Sequence, residues 1–349
     1  MSRLKAATFG SAMVDIIAIL ESHSIEQLSL SNAHQQYLLV EPGRKVEAQS
    51  IATHIGGGGL NTAVSLSRLG CRSVPFVKTG KGANRSHVIE HCELNKLELD
   101  GLMVAENGKT GSAVMIASHE KNAAIFTQRG ANTMLDEGDL AGISLETFDL
   151  VHAAPLSGDS AAMLPAIGEK AADAGAFFSS NPGIRQISTR ANSVLGAARH
   201  MSLISINEVE AAALVPCLSA LDSALDWGVP KPGEPVLKSE GGPIPMRKFC
   251  ETLHGHGPGH VLITAGADGA YLFNGEDFVH QEIVPAEVAG TAGAGDSFVS
   301  TLAWGLKSGF DADKALLLAA HNASSVVSHV NTTDGLLEKP DLLERAGLA

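Results

Sequence analysis

The sequence predicts an α/β protein in which a mainly parallel sheet is covered by helices on both faces and a small separate β-sheet is attached. Three observations carry this. Four apolar runs of strand length, DLVHAA (149–154), AFFSSN (176–181), MSLISI (201–206) and HVLITA (260–265), alternate with Ala-rich segments of helical pattern. That order builds a parallel sheet buried on both sides. The early extended pieces break the alternation and are expected to leave the main sheet as two insertions. The length of 349 residues gives room for one large domain with an appendage.

In chain order, 6–10 and 14–20 are short apolar runs separated by Gly-Ser, which predicts two strands. Residues 35–50 read as strand, Pro-Gly turn and a second extended piece. Gly56 to Gly59 then open a helix in which Leu60, Ala63, Val64, Leu66 and Leu69 keep i, i+3, i+4 spacing, and Gly70 stops it. SAVMIAS-HEKN-AAIFTQ (112–128) predicts a hairpin. Residues 226–245 hold five of the 14 prolines and predict a surface loop between two helices. Two Ala-rich helices follow at about 293–308 and 311–330, with Asp311 as N-cap of the second.

Composition excludes several classes. With 25 basic and 38 acidic residues the formal charge is −13, and such a surface repels phosphodiester backbones, so no nucleic acid partner is expected. No uncharged apolar run reaches 18 residues, so no membrane span is expected. Asp15 interrupts the N-terminal apolar stretch, against a signal peptide. Cys71, Cys92, Cys217 and Cys250 are scattered, which reads as reduced thiols of a cytoplasmic protein. Gly108-Lys109-Thr110 lacks the upstream Gly of a Walker A loop (103 is Met), and no G-x-G-x-x-G occurs. His254, His256 and His260 sit in a Gly-rich loop without an acidic or Cys partner nearby, so a solvated loop is favoured over a metal site.

Two segments carry chemistry. In GTAGAGDSFV (290–299), Gly293, Ala294 and Gly295 lead into a helix whose first N–H groups and dipole make an anion hole. Asp296 inside that hole either caps the helix or accepts a proton from a hydroxyl attacking a phosphoryl group. In Gly57-Gly58-Gly59-Leu60-Asn61, the glycines allow close approach of a ligand, and the Asn61 amide suits sugar hydroxyls. The bland alternative there is a flexible loop and a cap.

Together these segments resemble the PfkB (ribokinase-like) carbohydrate kinase family. The first is similar to G-G-x-x-x-N-x-A-x-x-L-x-R-L-G at every fixed position. The second is similar to D-T-x-G-A-G-D-x-F from Thr291 onward. Asn207-Glu208-Val209-Glu210 resembles N-x-x-E, and Thr264 to Gly269 resembles T-x-G-x-x-G. Gly130-Ala131-Asn132 is similar to a G-A-N of ribokinases.

The resemblance implies a three-layer α/β/α ribokinase-like domain (1–10, 53–106 and 129–349) with a β-sheet lid (11–52 and 107–128). It implies ATP and Mg2+ as cofactors, and a homodimer formed through the lid. Asp296 would be general base, with Gly293, Ala294 and Gly295 around the transferring phosphoryl. Asp15, Gly57, Gly58 and Asn61 would hold the sugar. Asn207 and Glu210 would order Mg2+ through water, and Thr264, Gly266, Gly269 and Asn322 would line the nucleotide site.

Departures from the pattern bear on the substrate. Gly290 stands where the family commonly has Asp, which puts a K+ requirement in doubt. Gly58 replaces a Lys of ribokinases, Ala153-Ala154-Pro155 lacks their Glu, and Asn84-Arg85 replaces an Asp-containing turn. Arg129 and Lys109 are candidates to hold a second phosphate. The expected activity is an ATP-dependent small-sugar kinase. The alternatives are a nucleoside kinase, for which Tyr37, Trp227 and Trp304 are the few Tyr and Trp available to stack a base, and a non-catalytic sugar-binding regulator.

Overall fold

The computed structural model describes residues 3–21, 26–29, 36–39, 43, 45–118 and 123–349. In chain order the elements are β1 (Lys5–Gly10), β2 (Met13–Leu20), β3 (Glu26–Ser29), β4 (Gln36–Leu39), β5 (Ala48–Gly56), α1 (Gly58–Arg68), β6 (Arg72–Thr79), α2 (Ala83–Leu94), β7 (Leu102–Val104), β8 (Gly111–Ser118) and β9 (Ala123–Gln128). Then come α3 (Glu137–Ala141), β10 (Leu150–Ala153), α4 (Leu164–Asp173), β11 (Phe177–Ser180), α5 (Ile184–Ala198), β12 (Leu203–Asn207) and α6 (Glu208–Leu221). The chain ends with β13 (Val236–Ser239), β14 (Gly242–Pro245), α7 (Met246–His254), β15 (Val261–Thr264), β16 (Ala270–Phe273), β17 (Phe278–Gln281), α8 (Ala294–Lys307), α9 (Ala312–Val327) and α10 (Lys339–Arg345).

The main sheet runs β17-β16-β15-β12-β11-β10-β1-β6-β7, with the seven strands from β15 to β7 parallel and β16 and β17 antiparallel at one edge. Alternate side chains of each strand enter two cores. Phe9, Val151, Phe178 and Ile204 pack with Leu164, Ile187, Leu214 and Phe249 on one face. Ala6, Leu150, Leu203 and Leu262 pack with Leu66, Val299, Leu302 and Leu316 on the other. Both faces are therefore buried, as the near-continuous apolar runs require. The chain leaves β1 in opposite directions to β6 and to β10, so the switch of strand order lies between β1 and β10, where α/β sheets open a crevice at their carboxyl ends.

The second sheet, β5-β2-β8-β9, is fed by the two insertions, and β3 pairs with β4. The turn 119–122 of the expected hairpin, and most of 30–44 including Pro42 of its Pro-Gly turn, lie outside the described residues. Alternation gives the β5-β2-β8-β9 sheet two unlike faces. Asp15 and its cross-strand partner His54 share one face, while Ile16, Val114 and Phe126 form a row across the other, with Ile51 beside it.

Two expectations change. Residues 226–245 are not all loop: β13 and β14 pair within them, and Leu237 and Ile244 are buried against α6 and α7. A two-stranded ribbon tolerates prolines where it does not extend into a larger sheet. The last long helix ends at Val327 rather than near 330, because Val327 O accepts from the Ala289 and Gly290 amides and Asn331 folds the next residues into a turn. Asp311 does cap α9, accepting from Lys314 N at 2.9 Å. Among the described residues no helix is long and apolar enough to cross a membrane.

Candidate active site

The site forms where β1, β10, β11 and β12 end. After β1 the chain turns at Ser11, whose carbonyl accepts from Gly59 N (3.1 Å) and whose hydroxyl accepts from Gly58 N (3.1 Å). Gly57 is left-handed (φ 99°), and a Cβ there would lie 2.5 Å from Ser11 O. Only glycine lets the two segments meet so closely. Asn132, in the Gly-Ala-Asn triplet, brackets the next residue, accepting from Ala12 N and donating to Ala12 O. That triplet thus supports the Ser11 turn.

Helix α1 then presents Asn61. Its Nδ2 donates to Asp296 Oδ2 (2.9 Å), and its Oδ1 accepts from Thr332 Oγ1 (2.8 Å). Asp296 sits in the first turn of α8, after Gly293 in the left-handed region (φ 82°). Its other oxygen accepts from Asn181 Nδ2 at 3.4 Å. Ser297 N reaches Gly293 O, while the amides of Gly295 and Asp296 precede that first intrahelical bond. They are the donors a helix start leaves for an anion.

Gly56 and Gly58 show how tightly the groups converge. A Cβ on Gly56 would lie 3.1 Å from Asp15 Oδ2, 3.2 Å from Thr332 Oγ1 and 3.6 Å from Asn61 Oδ1. One on Gly58 would lie 2.8 Å from Ala154 Cβ and 3.6 Å from Asp296 Oδ1. The structure therefore gathers Asp15, Gly57, Gly58, Asn61 and Gly293–Asp296 at one place. Burial pushes the Asp296 carboxyl above its usual range, and the Asn61 and Asn181 amides pull it back. Burial also raises Asp15, against the pull of His54.

Asn207 and Thr264 are paired at the carboxyl ends of β12 and β15. Asn207 and Glu210 form a capping box on α6, each side chain accepting from the other's amide at 2.9 Å. Gly266 and Gly269 turn the chain from β15 to β16. A Cβ at Gly269 would strike Gln281 O at 2.1 Å, so the chain reversal itself requires glycine there.

Asn322 departs from the expected nucleotide role. It is fully buried on α9, donating to Thr301 Oγ1 (2.8 Å) and accepting from Leu337 N (2.9 Å). Both ends of its amide are used inside the core. Arg85 bonds Thr79 Oγ1 and Met103 O, Arg129 bonds Ser157 Oγ, and Lys109 is exposed. Thr110 of the failed Walker triplet accepts from Gly80 N. Trp227 stacks on Phe249 in the core, and Trp304 is buried. His254 packs edge-on against Phe273, and no group of three potential metal ligands forms among the described residues.

Asn181, His152, Ser11 and Thr332 were not legible as site residues. The signal for Asn181 was its place directly after an apolar strand run. A cavity of about 1030 Å³ lies at the other end of the sheet, beside Phe177, Arg247 and His260. It is remote from the convergent polar groups, so it is not read as the active site.

A family model described as pfkB family carbohydrate kinase matches residues 3–340. The chain belongs to this family. A bifunctional ribokinase/ribose-5-phosphate isomerase A from Fructilactobacillus sanfranciscensis is 23% identical over 331 residues, covering 93% of this chain. The chain spans about half (53%) of that relative's length. An uncharacterized sugar kinase, YegV, from Escherichia coli is 23% identical over 94% of this chain and 90% of its own. The structure of Arabidopsis thaliana ribokinase complexed with ribose and ATP superposes with a TM-score of 0.76 at 21% identity, over 100% of both chains. Family membership and fold thus agree.

Proposed function

We propose that the chain is a kinase that transfers the γ-phosphoryl group of ATP to a hydroxyl of a small sugar, with Asp296 as general base. The observation that carries this is a half-buried carboxylate in the open first turn of α8, held by the Asn61 amide. In the reaction the sugar oxygen attacks phosphorus and its proton passes to Asp296. The bond from the γ-phosphorus to the bridging oxygen breaks, and ADP leaves. The amides of Gly295 and Asp296 would face the charge spread over the phosphoryl oxygens, where fixed donors act best.

The donor set fits Mg2+ in its usual water-rich form, with few protein ligands. Glu210 offers one carboxylate beside the Asn207 amide, and burial raises its pKa. Asn207 and Glu210 would hold the ion through water, and when bound it would neutralise phosphate charge. Gly290 supplies no carboxylate for a monovalent cation. Thr264 and Gly266 would border the nucleotide.

The acceptor is read as a small sugar. Gly58 faces Ala154 and Pro155 too closely for a larger side chain, so neither the Lys nor the Glu of ribokinases is available. ADP release over a panel of sugars and nucleosides tests the reading. A sugar should give the highest rate, equally in KCl and NaCl. A nucleoside as best acceptor, or no release with any sugar, would overturn it.

The sheet β5-β2-β8-β9 is read as the lid. Exclusion of water by its closure would suppress ATP hydrolysis. Its outer face exposes Ile51 (70%) and Phe126 (64%) with Ile16 and Val114. A second copy covering that face would bury both the apolar row and the sheet edge. Phe126→Glu should turn a dimer into a monomer in analytical ultracentrifugation. A monomeric parent protein would remove the idea. The cytoplasm is the expected compartment: all four thiols are unpaired, and burial pushes Cys71 and Cys92 to about 12, leaving them inert.

A further inference from the structure

We propose that His152 and Asn181 are positioning residues that aim and hold the Asp296 carboxylate. The proposal rests on the reading of Asp296 as the base. His152 lies on β10, fully buried, opposite Ser179 of β11. Its Nδ1 is 2.9 Å from Ser179 Oγ, and its Nε2 is 3.1 Å from Asn181 Oδ1. Asn181, half-buried just beyond β11, is 3.4 Å from Asp296 Oδ1 through Nδ2. Four side chains thus form one unbroken line from the sheet interior to the site.

The direction of that line is fixed by its last member. An ionised carboxylate only accepts hydrogen bonds, so Asn181 must turn its NH2 toward Asp296. Its amide oxygen then faces His152 and only accepts, so the imidazole carries its proton on Nε2. Nδ1 is left as acceptor for the Ser179 hydroxyl. Every donor therefore points toward the carboxylate: Ser179 to His152, His152 to Asn181, Asn181 to Asp296. Bonds in such a row strengthen one another in a low dielectric.

Burial lowers the His152 pKa to about 4, so the ring is neutral at working pH and the polarity does not reverse. Asn61 completes the grip on Oδ2 and is itself anchored by Thr332. Among the described residues these two amides are the groups that bond the Asp296 side chain, and no charged side chain pairs with it. A buried histidine serving only to fill space would not need a tautomer matched to a reacting group two residues away in the chain of bonds.

The test compares His152→Leu, His152→Gln, Asn181→Ala and Asp296→Asn in the full chain. kcat, both KM values and the pH dependence of kcat are measured. His152→Leu should lower kcat by about tenfold or more with both KM values held. Its acidic limb should move to higher pH, because the amide that favours the charged base is no longer oriented. His152→Gln, whose amide N–H can still donate to Asn181 Oδ1, should restore most of the rate and the limb. If His152→Leu does not fold, Asn181→Ala decides, since it should shift the limb in the same direction. Folded variants with parent kcat and an unmoved limb would overturn the inference. Asp296→Asn separates the two failures. If it keeps its turnover, the base assignment falls. If it loses turnover while the other variants do not, the positioning role alone falls.

Discussion

Asp296→Asn should lower kcat by about 10²–10⁴, the usual contribution of a placed general base, while ATP and sugar still bind in titration calorimetry. The substitution keeps the shape of the side chain and removes a charge that burial already disfavours, so the folded chain should survive it. The pH dependence supplies a second reading. As the proposed base, Asp296 would work only when ionised, and burial raises its pKa. Parent activity should therefore be full above that pKa and fall as pH drops through it, at higher pH than an ordinary aspartate would show. The residual rate of the variant should lack this limb. Turnover close to the parent's, or a limb that persists in the variant, would refute the assignment.

Gly293→Ala should cost about 10²-fold in turnover. Gly293 has φ 82°, and a Cβ there would lie 2.8–3.0 Å from Thr332 Cβ, Cα and O. Alanine dislikes this conformation, and relief would come by moving the start of α8 or the 331–334 segment. The first displaces the amides proposed for the phosphoryl group. The second slackens the Thr332 bond that holds Asn61 against Asp296. Gly309→Ala is the control. Gly309 is also left-handed (φ 88°), yet nothing lies within 4 Å of its Cβ position. It should lose stability in a thermal melt but keep kcat. If both variants lose turnover alike, collision with Thr332 is not the cause.

The layered fold was legible because parallel strands buried on both faces leave long apolar runs, and 149–154, 176–181, 201–206 and 260–265 are such runs. The 236–245 ribbon was hidden because its prolines read as loop, while the burial of Leu237 and Ile244 depends on α6 and α7. Asn61 and Asp296 stood out as polar residues at glycine-rich helix starts, where local chemistry constrains the type. Asn322 did not behave so. An Asn on a helix reads the same whether it meets a ligand or, as here, Thr301 and Leu337 N. His152 and Asn181 join Asp296 only through strand pairing, which no local pattern encodes.

The hydrogen bonds that hold Asp296 come from residues 235 and 115 positions earlier. Closing loops of that size is slow, and nothing local can stand in for them. During synthesis the nascent chain therefore carries the glycine loop and Asn61 long before it can carry out chemistry. The proposed centre is complete only when α8 has emerged from the ribosome and docked, so a stalled or C-terminally clipped product lacking that helix should be catalytically silent.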